Sequence, residues 1–168
     1  MRPRTAAVDT LIDTITAERH VVEYLLFKLI TLKLLFTSDE RRFIEKAANE
    51  VERVISSLRQ AEERRDNALK VVADEWDLPT DVLTLSRLAQ EIPGPVAKEL
   101  RILQHSLRSL ADEVEVVLAE NRRLAEGGLG DLRTVLDAVV SSPAGDTYTG
   151  TGQRHRAYAQ PVQLDRAL

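Results

Sequence analysis

Apolar side chains recur at intervals of three and four along most of this chain. The first such run is Val8, Leu11, Ile12, Ile15, Val22, Leu25, Leu26, Leu29, Leu32 and Phe36, which predicts a helix from about Asp9 to Phe36. In the second half of that helix Val21, Tyr24, Phe27, Ile30, Leu34 and Leu35 make the surface apolar nearly all round. Two readings follow. Either this is a central bundle helix buried on both faces, or one face is kept for a partner or a second copy.

Thr37-Ser38-Asp39-Glu40 interrupts the pattern, and Thr37 and Glu40 have capping-box spacing. So short a connection predicts an antiparallel hairpin. The second helix is expected from about Asp39 to Trp76. One heptad track holds Ile44, Val51, Leu58, Arg65 and Val72; the adjacent one holds Ala48, Ile55, Glu62, Leu69 and Trp76. The run Glu62-Glu63-Arg64-Arg65 reads as a solvated face, with Arg65 reaching outward or pairing with Glu18.

Leu78-Pro79 ends the second arm. Thr80 and Asp81 are candidate caps for a short helix over 80–91, with Val82, Leu85, Leu88 and Ala89 turned inward. Pro93-Gly94-Pro95 breaks the chain again, and Pro95 suits the first position of a helix over 95–126. There Leu100, Leu107, Val114 and Asn121 hold one heptad position, and Leu103, Leu110, Val117 and Leu124 the other. Asn121 on such a seam either fixes register or bonds a neighbouring backbone. Gly127, Gly128 and Gly130 then make a hinge or a helix end. Leu129, Leu132, Val135, Leu136, Val139 and Val140 form a last amphipathic stretch over 129–141. The pattern gives an all-α fold: a long antiparallel hairpin (9–76) extended into a helical bundle within a domain over 1–141, followed by a flexible tail over 142–168 with little to bury.

Composition agrees with helices. Apolar residues make up 43% of the 168, yet there are only one Trp, three Tyr and three Phe, so strand-favouring aromatics are scarce. The net charge of −4 is spread along the chain with no basic face, which argues against nucleic acid as a partner. The most apolar stretch, Val21 to Phe36, is interrupted by Glu23, Lys28 and Lys33 and is too short to span a bilayer. Without a signal-peptide pattern at the start, the chain reads as soluble and cytoplasmic.

Candidate chemistry is thin. There is no Cys, and none of the three histidines, His20, His105 and His155, has an acidic residue three positions before it or a second His four positions away. No nucleophile elbow or phosphate-binding loop occurs, and the Gly127 to Gly130 cluster follows a helix rather than a strand. The sequence points to no enzyme, cofactor or metal. It points to recognition of another helix.

Three stretches together resemble the FlgN family of flagellar export chaperones over about residues 9–152. The first is Glu18-Arg19-His20 leading into Tyr24-Leu25-Leu26 and Lys33-Leu34-Leu35. The second is Val54-Ile55-Ser56-Ser57-Leu58 followed by Ala61-Glu62-Glu63-Arg64-Arg65. The third is Asn121-Arg122-Arg123-Leu124, then Tyr148-Thr149-Gly150-Thr151-Gly152. The glycine cluster departs from the family's more continuous pattern, and the tail beyond Gly152 has no counterpart. The resemblance implies a cytoplasmic chaperone that binds the C-terminal helices of the hook-associated junction proteins FlgK and FlgL. It implies that these clients are kept from premature assembly and delivered to the type III export apparatus. Leu124, Leu129, Leu132, Val135, Leu136 and Val139 would then face the client, and Tyr148 would dock at the export gate. The plainer readings are ordinary core for the Leu and Val residues and an idle tail position for Tyr148. The alternative function is a self-associating scaffold that dimerises through the Leu100 to Leu124 seam; a homodimer is also compatible with the chaperone.

Overall fold

The computed structural model describes residues 4–79, 83–126 and 136–137, and among them every regular element is helical. Helix α1 spans Ala6–Thr37, a single 3-10 turn covers Arg41–Phe43, α2 spans Ile44–Glu75, α3 Leu85–Glu91 and α4 Pro95–Ala125. The expected all-α architecture and its hairpin are present.

Thr5 caps α1, its hydroxyl accepting from the Val8 N–H at 3.4 Å. The same hydroxyl donates to Glu75 at 2.9 Å and so ties the start of α1 to the end of α2. The capping box does not form. Thr37 belongs to α1, and its hydroxyl donates to the Lys33 and Leu34 carbonyls of its own helix. The turn is made by Asp39, which takes φ 57°, while Glu40 N–H reaches back to Leu35 O at 3.0 Å and Asp39 N–H to Phe36 O at 3.3 Å. The end of α2 repeats this closure: Asp77 has φ 52°, Leu78 N–H reaches Ala73 O at 2.9 Å and Asp77 N–H reaches Asp74 O at 3.2 Å. Both long helices therefore end in a Schellman motif with an aspartate in the left-handed position that glycine usually takes.

α1 is the shared partner of the bundle, with α2 and α4 packed on it and no close backbone approach between those two. α2 runs antiparallel to α1, as the Glu18–Arg65 and Lys28–Glu50 pairs show. The direction of α4 follows from chain length. Asn121 Nδ2 donates to Leu29 O at 2.9 Å, fixing the end of α4 beside α1. An antiparallel α4 would place Pro95 roughly 75 Å from Trp76, whereas the connection between them, with its one short helix, spans at most about 50 Å. Hence α4 runs parallel to α1. The Leu29–Asn121 register then sets Val22 beside Val114, Ile15 beside Leu107 and Val8 beside Leu100, all buried. α1 thus covers the Leu100, Leu107, Val114 and Asn121 track, while Leu110, Val117 and Leu124 of the neighbouring track are half-buried.

α3 starts later than the sequence predicts. Its cap is Thr84, whose hydroxyl accepts from Arg87 N–H at 3.2 Å; Thr80, Asp81 and Val82 lie outside the described residues. Leu85, Leu88 and Ala89 are buried as expected. Gly94 takes φ 77° to reverse the chain, and Pro95 opens α4. α3 folds back on α4 through Gln104 to Ser86 Oγ at 2.7 Å and Arg101 to Ala89 O at 3.2 Å.

Candidate protein-binding surface

The second apolar face of α1 is not covered. Tyr24, Phe27, Ile30 and Leu34 are 50%, 56%, 40% and 60% exposed, while Val21 and Leu35 are half-buried against the core. The exposed four follow spacings of three, three and four, so they form one stripe about three turns long on the side of α1 away from the core. Of the two readings of this helix, burial on both faces is overturned, because α2 and α4 both pack along the Val8 to Leu32 face and leave this side open.

The stripe is organised at its aromatic end. The Tyr24 and Phe27 rings stack with centroids 6.1 Å apart and an interplanar angle of 23°. Lys28 Nζ lies 5.1 Å from the Tyr24 centroid and 5.3 Å from that of Phe27. That ammonium also donates to Glu50 of α2 at 2.7 Å. The hydrogen bond to Glu50 raises the Lys28 pKa, with Tyr24 adding to it, and Lys28 in turn lowers the Glu50 carboxyl. A cation held over two rings restricts their rotamers, so the pair is pre-organised at the surface. The sequence carried one signal for this, a Lys four residues after a Tyr and directly after a Phe.

A second polar cluster lies inside the bundle. Glu62 and Arg65 are buried rather than solvated, while Glu63 and Arg64 are exposed. Arg65 Nη1 donates to Glu18 Oε1 at 2.7 Å, and Arg65 Nη2 to Asp66 at 3.2 Å. Burial pushes the Glu18 carboxyl up from its usual 4.5 to about 7; Arg65 pulls it down, and Glu62 and Asp66 push it further up. This pair fixes the α1–α2 register from the middle of the hairpin and offers no opening to a ligand.

At the far end, Lys33 of α1 pairs with Glu120 of α4 at 2.6 Å. Leu124, four residues after Glu120, is half-buried. Leu136 is fully buried. Its carbonyl accepts from Arg122 at 3.3 Å, and Arg122 also pairs with Asp137 at 3.1 Å. Arg122 therefore ties the Leu136 backbone to the end of α4. Leu129, Leu132, Val135, Val139 and Tyr148 lie outside the described residues. Asn121 joins the two roles read for it, sitting on the seam and bonding the backbone of α1.

Among the described residues no cluster of His, Asp or Glu could hold a metal ion, and no helix is long and apolar enough to cross a membrane. What the surface offers is apolar helix. A family model described as FlgN protein matches residues 1–156. The chain belongs to the FlgN family. Comparison with curated proteins and with solved structures gave no match. FlgN proteins are chaperones of flagellum biogenesis, not enzymes. The FlgN match agrees with the long packed helices.

Proposed function

We propose that this protein is a cytoplasmic flagellar export chaperone for the hook–filament junction proteins of the FlgK and FlgL type. It covers their C-terminal helices, prevents premature assembly and delivers them to the type III export gate. The observation that carries this reading is the match of a flagellar chaperone family along nearly the whole chain, on a bundle with apolar side chains exposed along one face of α1. The reaction is binding alone. Apolar side chains of the client leave water against Leu and Val side chains of the chaperone, at about 25 cal/mol per Å². Release needs only loss of those contacts, because no covalent step is involved.

The residues that take the client are Leu124, Leu129, Leu132, Val135, Leu136 and Val139, and Tyr148 docks at the export gate. Leu136 is sealed in the chain alone and is tethered through Arg122. Client binding through this segment therefore requires the Arg122 contacts to open, and the glycines from Gly127 to Gly130 supply the hinge. Docked segment and client compete for the same side chains.

The experiment is a pull-down of a junction protein through its last helices, with the full chain and with a truncation after Glu126. The full chain is expected to retain the client and the truncation to lose it, both keeping the helical circular dichroism of the hairpin. Equal retention by the truncated protein would contradict the role of the terminal segment. A Tyr148→Ala variant is expected to keep the client and lose the export gate. Against the scaffold alternative, which uses the Leu100 to Leu124 seam, stands the packing of α1 on its Leu100, Leu107, Val114 and Asn121 track.

A further inference from the structure

The stripe on α1 lies apart from the terminal segment, and its size argues for a particular occupant. Each of Tyr24, Phe27, Ile30 and Leu34 is about half exposed and presents on the order of 100 Å², so the patch offers roughly 400 Å². Two copies face to face would bury about 800 Å² of it, below the roughly 1,200–2,000 Å² of stable protein–protein interfaces. The stripe is instead the length of a short helix: Tyr24 to Leu34 spans about 15 Å, or three turns.

Its rim gives the occupant a charge. Lys46, Glu50 and Arg53 follow at intervals of four and three, so they share one flank of α2, and Glu50 reaches α1 from that flank to hold Lys28. Three cations, Lys28, Lys46 and Arg53, thus surround one carboxylate. Lys46 and Arg53 have no ion pair among the described residues. An incoming helix with acidic residues along this flank would meet a surplus of positive charge. The stacked rings under Lys28 are already fixed, so ordering them on binding carries little entropy loss, as at binding hot spots.

We propose that the Tyr24–Phe27–Ile30–Leu34 face docks one amphipathic helix of an exported client, about three turns long, with acidic residues on the side that meets Lys46 and Arg53. This rests on the chaperone reading and adds a second client contact, separate from the residues after Gly130. The test is fluorescence anisotropy with a labelled C-terminal fragment of a hook–filament junction protein. It is titrated with the full chain, with a Phe27→Asp/Leu34→Asp variant and with a Lys46→Glu/Arg53→Glu variant. Thermal melts check that all three are folded.

The Asp pair is expected to weaken binding at least about tenfold, equivalent to about 1.4 kcal/mol. The Glu pair is expected to weaken it several-fold at low salt, with the difference shrinking at high salt. Affinity within about twofold of wild type in the folded Asp variant overturns this docking site and leaves the chaperone reading standing. Absence of binding by the unaltered chain overturns both. Loss of self-association in light scattering with client affinity unchanged assigns the face to a second copy and overturns the proposal.

Discussion

Replacing Glu18 by Gln should change the way stability depends on pH. Glu18 is fully buried; Oε1 accepts from Arg65 at 2.7 Å and Oε2 has no hydrogen-bond partner. Its carboxyl titrates near 7 in the folded chain, against an ordinary value of 4.5, chiefly because burial disfavours the anion. Between those two values the folded state binds more protons than the unfolded state. Unfolding free energy must therefore fall as pH rises through that window. The contribution of the protonated carboxyl is complete below 4.5 and is lost as pH passes about 7. At about 1.4 kcal/mol per unit, the whole window is worth about 3 kcal/mol. Gln keeps an oxygen for Arg65 and cannot ionise, so Glu18→Gln lacks this loss. Urea unfolding of both proteins, followed by circular dichroism across the window, gives the difference directly. Other titrating groups are common to both and cancel. The variant is expected to gain on wild type by about 3 kcal/mol from the acidic to the neutral end. A difference that stays flat, or that moves the other way, would refute an elevated Glu18 and with it the dominance of burial over the Arg65 charge.

Removing the cation should be worse than removing the acid. Arg65→Met strands Glu18 without its partner and is expected to cost about 3–5 kcal/mol at neutral pH, measured by the same unfolding assay. Leu29→Ala opens a cavity where α1, α2 and α4 converge and is expected to cost about 2–5 kcal/mol. Asp77→Gly relieves a left-handed aspartate at the end of α2 and is expected to raise stability by about 0.5–1 kcal/mol in thermal melts.

Much of this bundle was legible in the sequence because an amphipathic stripe has only to be buried somewhere. The hairpin, the Pro95 start of α4 and the Leu100, Leu107 and Val114 seam all follow from spacing. The neighbour of each stripe was not legible. Heptads on α4 are satisfied equally by α1 and by a second copy, and only the Asn121 bond to Leu29, with the short connection behind it, decides for α1. The same limit applies to Tyr24, Phe27, Ile30 and Leu34. Their spacing declares an apolar face but not whether anything lies on it. Local competition explains two other differences. Thr37 spends its hydroxyl on its own helix, and Thr84 meets the free N–H of Arg87. Glu62 and Arg65 looked solvated within a run of four charges, yet Glu18 facing them made an internal pair available. Of the candidate client residues, only Leu124 and Leu136 fall among the described residues; Leu124 is half-buried on α4 and Leu136 is fully buried.

The central claim is that this chain binds a junction protein by removing apolar surface from water. Calorimetric titration of the unaltered chain with the C-terminal fragment of a junction protein, repeated at several temperatures, measures that directly. Apolar burial requires a saturable complex whose binding enthalpy becomes more negative on warming, which is a negative heat-capacity change. No saturable binding, or binding with a heat-capacity change of zero, would contradict it.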